Sequence, residues 1–75
     1  MKRLLIIVRT GSAVDSFLAD AGFIYEEVFR IPDKTYYMMN ISKSLQLIDL
    51  LVSKFCIKDF FIQSYDGVVT FRVRS

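Results

Sequence analysis

Histidine is absent from this 75-residue chain. Its absence removes the side chain most often used as a general base and as a metal ligand. Cysteine occurs once, at Cys56, so no intrachain disulfide framework can form, and a reducing, cytoplasmic setting is the expectation. Without a histidine to activate it, Cys56 reads as a small buried hydrophobe rather than a nucleophile. One cysteine and dispersed carboxylates also lack any metal-ligand spacing. No catalytic constellation, metal site or cofactor is therefore expected. Proline occurs once, at Pro32, and the three glycines each stand where a turn or cap is wanted. No linker, repeat or low-complexity stretch divides the chain, so residues 1–75 are expected to form a single domain. No apolar run approaches the ~18 residues of a membrane span. The start "MKRLLIIV" has the basic opening of a signal peptide, but its apolar run Leu4–Val8 falls short of the roughly 7–15 residues of such a core.

Apolar residues, by contrast, are abundant at 53% of the chain, more than a domain this small can hide. A domain of about 60 residues buries only about 60% of its unfolded surface. Surplus apolar surface of this kind is commonly covered by self-association or by docking on a partner. The net charge of +2 is slight and neither demands nor excludes nucleic acid.

The pattern of elements is legible along the chain. Arg3–Arg9 reads as a strand with apolar residues on both faces. Ser12 is a helix N-cap, with Asp15 at the positive end of the dipole. Val14, Phe17, Leu18 and Ala21 recur at helical spacing, and Gly22 is a C-cap, giving a helix over 13–21. "FIYEEVFRI" predicts a second strand with Phe23, Tyr25, Phe29 and Ile31 on one side and Glu26, Val28 and Arg30 on the other. Glu26 and Glu27 are adjacent in a strand and so point apart, which makes no acid/base pair. "PDK" is a tight turn. "TYYMMNI" is a third strand in which Tyr37, Met39 and Ile41 alternate with Tyr36, Met38 and Asn40. Ser42 or Ser44 caps a second helix, with Leu45, Ile48, Leu51, Val52 and Phe55 as its buried stripe and Leu47 and Leu50 widening it.

Asp66-Gly67 between two β-rich runs is a two-residue type I′ hairpin signature. It sets Tyr65 opposite Val68, Gln63 opposite Thr70, Phe61 opposite Arg72 and Asp59 opposite Arg74. Phe60, Ile62, Val69, Phe71 and Val73 then share the core face. The order β-α-β-β-α-β-β predicts an α+β, ferredoxin-like split βαβ arrangement. It would be an antiparallel sheet in the order 5-4-1-3-2, with an extra C-terminal hairpin strand and two helices on one face.

A strand 1 that is apolar on both faces needs cover on its helix-free side. Tyr36, Met38, Phe61, Tyr65 and Arg72 are expected on that side, and tyrosine, methionine and arginine are interface-enriched. The leading expectation is a non-enzymatic interaction module. It would form a homodimer or dock on a larger protein as an inhibitor or adaptor. A second is a small-ligand regulatory domain holding an anion in the turn Arg9, Thr10, Gly11 and Ser12, although a capped turn explains these residues better. A third comes from "KTYYMMNI", which resembles the third strand of RNA-recognition motifs. Lys34 stands at the basic position, Tyr36 at the first stacking position and Met38 where a second aromatic belongs. That resemblance implies single-stranded nucleic-acid binding on the sheet face, with Arg72 and Arg74 near the phosphates. The glycine of that pattern and an aromatic in strand 1 are missing.

Overall fold

A computed structural model of the chain describes residues 2–55 and 60–73, with the side chains of residues 43–45 left out. The elements are β1 (Arg3–Arg9), α1 (Ala13–Asp20), β2 (Glu27–Arg30), β3 (Lys34–Asn40), a 3-10 turn (Ile41–Lys43), α2 (Ser44–Lys54), β4 (Phe60–Tyr65) and β5 (Val68–Val73). Cys56 and the expected Asp59–Arg74 pair lie outside the described residues.

The five strands form one sheet in the order β2-β3-β1-β5-β4. β1 runs antiparallel to β3 but parallel to β5. The sheet is therefore mixed, and the ferredoxin-like antiparallel arrangement is overturned. In the expected order, the strand after the second helix lies beside strand 1. Here that strand, β4, is displaced to the edge, and its hairpin partner β5 takes the central place. Residue type accounts for the exchange. Four of the six β5 residues (Val68, Val69, Thr70 and Val73) are β-branched, against Ile62 alone in β4. β-Branched residues suit a strand packed on both sides, and parallel pairs belong in buried positions. The hairpin register agrees with the sequence reading from Tyr65↔Val68 to Phe60↔Val73. Asp66 and Gly67 both have positive φ, 51° and 79°, as a type I′ turn requires.

The core lies on one sheet face. Leu4, Ile6 and Val8 of β1, Tyr37 and Met39 of β3, and Phe71 and Val73 of β5 pack there with Val14 and Leu18 of α1 and Leu47 and Leu51 of α2. Both helices therefore cover the same face. Helix α1 starts where Ser12 accepts a hydrogen bond from the Asp15 amide and ends before Gly22, whose φ of +77° suits glycine. Helix α2 buries Leu47 and Leu51 and packs Ile48 and Phe55 against the core, as expected, whereas Val52 is 43% exposed; the side chain of Leu45 lies outside the described residues. Asn40 leads into the 3-10 turn before α2, its Oδ1 accepting from the Ser42 amide at 2.9 Å; the side chain of Ser44, the other expected cap, lies outside the described residues.

Strand β2 is shorter than its sequence suggests, and two of its expected residues belong elsewhere. Phe23 and Tyr25 precede it and pack against the core. The Tyr25 hydroxyl donates to the Leu18 carbonyl at 2.6 Å, and burial pushes its pKa up to about 12. Pairing starts with the Glu26 amide on the Met38 carbonyl. Phe29 then faces away from the helices, opposite Tyr36, while Arg30 turns toward them.

Candidate functional site

Strand alternation and register define the helix-free face. Phe29, Tyr36, Ile7, Arg72 and Phe61 form one row crossing all five strands. Met38, Leu5, Thr70 and Gln63 make the next row. Tyr65 sits at the corner, opposite Val68 and 78% exposed. The five residues expected to bind a partner are all on this face. Tyr36, Arg72 and Phe61 are brought into one row, Met38 adjoins it, and Tyr65 stands apart. Strand order changes who touches β1: Thr70 and Arg72 flank it directly, and Phe61 lies one strand further out. Leu5 and Ile7 are partly shielded by these neighbours rather than bare.

Phe29 was not expected here. It is 63% exposed, with its ring centroid 6.1 Å from that of Tyr36. The signal that places it is the tight turn at 32–33, which mirrors the alternation of β3 onto β2.

Cations gather beside the middle of the row. Arg9, Lys34 and Arg72 line an open cleft of about 530 Å³ with Ile7, Phe61 and Asp33. Arg9 and Lys34 are directly opposite across the β1–β3 ladder. Like charges so placed repel, and among the described residues no carboxylate forms an ion pair with Arg9, Lys34 or Arg72. Replacing Lys34 by glutamate should therefore stabilise the fold by about 0.5 kcal/mol. A thermal midpoint that falls instead would show that the pair is not strained.

The turn at 10–12 is committed to the fold. The Thr10 hydroxyl donates to the Ile31 carbonyl at 2.6 Å and lies 2.8 Å from the Thr35 hydroxyl. The Gly11 amide donates to Asp15 Oδ2 at 2.9 Å, so the chain's own carboxylate occupies the place an anion would take. Arg9 alone of that turn faces the cleft.

Behind the turn lies a polar group that the sequence did not reveal. Asp15 is 2% exposed on the helix side of the sheet. It accepts from Arg30 through both oxygens, at 2.5 and 3.2 Å, and from the Tyr37 hydroxyl. Burial alone would raise the Asp15 pKa, but the hydrogen bonds from Tyr37, Arg30 and Gly11 outweigh it and hold the carboxyl below its ordinary value. Burial, reinforced by Asp15, drives the Tyr37 phenol well above its usual range. Tyr37, Asp15 and Arg30 are thus hydrogen-bonded to one another. The clue was available: Tyr37 alternates into the core and needs a partner for its hydroxyl.

Among the described residues no group of acids and cysteines could hold a metal, and no helix is long and apolar enough to cross a membrane. Compared with protein-family models, curated proteins and solved structures, the chain matches none of them.

Proposed function

We propose that the chain is a non-enzymatic interaction module that docks a partner protein on its helix-free sheet face. The row Phe29–Tyr36–Ile7–Arg72–Phe61 carries this reading. It supplies aromatic anchors and an arginine in one continuous line, the composition of interface hot spots. Arg9, Lys34 and Arg72 stand on this face against Asp33 and Glu27, and Arg3 is paired with Glu26 at 3.6 Å, so the face keeps a small excess of positive charge, gathered at the cleft. That charge disfavours two copies meeting face to face and favours a partner with an apolar centre and a carboxylate rim.

The test places a photo-reactive side chain at Tyr36, and at the exposed Ala19 of α1 as a control, in cells of the native host. A protein adduct from position 36, absent from position 19 and reduced at least tenfold by Phe61→Lys, is the expected outcome. Equal adducts from both positions, or none, would sink the proposal.

A second reading rests on the Arg9, Lys34 and Arg72 cluster. A small phosphate-bearing or carboxylate ligand would fit the cleft, whose size lies within the roughly 300–1,000 Å³ of ligand sites. Nucleotide binding would show as a thermal midpoint rising with ATP concentration. Binding of a single strand would show as salt-dependent affinity for an oligonucleotide, lost on Tyr36→Ala.

A further inference from the structure

The two edges of the sheet are built differently. β2 has four residues, carries Glu27 and Arg30, and is followed closely by Pro32. Short length, charge and proline are the devices that stop an edge from pairing with another chain. β4 has none of them. Its six residues, Phe60–Tyr65, hold no charge and no proline, and every one is exposed. Apolar residues stand out on both of its faces, Phe60 and Ile62 toward the helix side and Phe61 and Tyr65 away from it.

The hairpin fixes which backbone groups are free. In a two-residue hairpin the pair flanking the turn is hydrogen-bonded, here Tyr65 with Val68. Tyr65, Gln63 and Phe61 therefore direct their amides and carbonyls at β5. Phe60, Ile62 and Ser64 direct theirs outward. An antiparallel neighbour must offer outward groups in the same alternation, and β4 meets that demand itself. With a two-fold axis through Ile62, Phe60 faces Ser64 of the second copy, Ile62 faces Ile62, and Ser64 faces Phe60. Every outward residue then has an outward partner. On the helix side, Phe60, whose ring already stacks on Phe71 at 5.0 Å, and Ile62 would join their counterparts in one apolar cluster.

We propose that β4 pairs antiparallel with β4 of a second copy, centred on Ile62, to make a continuous ten-stranded sheet with all helices on one side. The outer face remains free in this dimer, so the proposal stands independently of the docking function. The pairing supplies part of the cover that the apolar composition demands.

Light scattering across a concentration series tests it. The expected species has twice the chain mass of 8.7 kDa. Ile62→Lys would set two lysines side by side on the axis and weaken association at least tenfold. Phe29→Lys, on the other edge, would leave it unchanged. Ser64→Pro removes an amide that points to solvent in the monomer, where a proline is tolerated, and should likewise yield monomers with the circular dichroism of the parent. It decides the matter if the lysine variant misfolds. A parent that stays monomeric at 100 µM, or a dimer broken by Phe29→Lys and untouched by Ser64→Pro, would overturn the pairing.

Discussion

Phe71→Ala should remove a large share of the protein's stability. Phe71 is 1% exposed and lies against Ile6 across the β1–β5 ladder. Truncating a buried phenylalanine costs about 3–5 kcal/mol, and a 75-residue domain has only about 4–11 kcal/mol in total. Ile62→Ala, by contrast, measured at concentrations low enough to keep the chain monomeric, should cost less than about 1 kcal/mol, because Ile62 sits on the edge strand of the single chain and is 54% exposed there. The contrast reports strand order directly. If β4 rather than β5 lay beside β1, the two costs would be reversed. Urea titrations of both variants distinguish the cases, and equal midpoints would contradict the order β2-β3-β1-β5-β4.

Asp15→Asn should be the second large effect, a loss of about 2 kcal/mol, in the range of hydrogen bonds made to a charged group. The asparagine keeps the shape but lacks the charge that draws Arg30 and Tyr37 together. Because the native carboxyl titrates below its ordinary value, the parent gains stability from ionised Asp15 above about pH 4. That gain fades as pH falls through the lower, native pKa. The variant, having no proton to take up there, should show a shallower loss of stability in acid. Denaturation midpoints measured from pH 6 down to pH 2 check this, and parallel curves for parent and variant would refute it.

Much of this architecture is legible in the sequence. Local signals sufficed where the cause is local. Ser12 and Gly22 bound α1, and Asp66-Gly67 set the hairpin register residue by residue. The alternation of β3 correctly put Tyr36 and Met38 on the helix-free face. What failed depended on contacts remote in sequence. The expected order followed the succession of elements, which makes the strand after α2 the neighbour of β1; the β-branched content of β5 was the signal against it. The limits of β2 failed because Phe23 and Tyr25 fill a core gap beside α1, which strand-like alternation cannot reveal. Of the candidate site, the aromatic row was half visible. The junction of Arg9 and Lys34 with Arg72 required the parallel pairing that the chain pattern did not show.

That same parallel pairing governs how the molecule comes together in time. Arg3 is matched to Val68, nearly the whole chain away. Closing a loop of that span in one step costs roughly 4 kcal/mol in chain entropy, and only the β1–β3 ladder and the β4–β5 hairpin shorten it beforehand. The central seam of the sheet should consequently form late, after the β4–β5 hairpin and the β1–β3 ladder have each taken shape. Folding should be slow for so small a protein, and clipping off β5 would also cut β4 loose from the sheet, leaving β2-β3-β1.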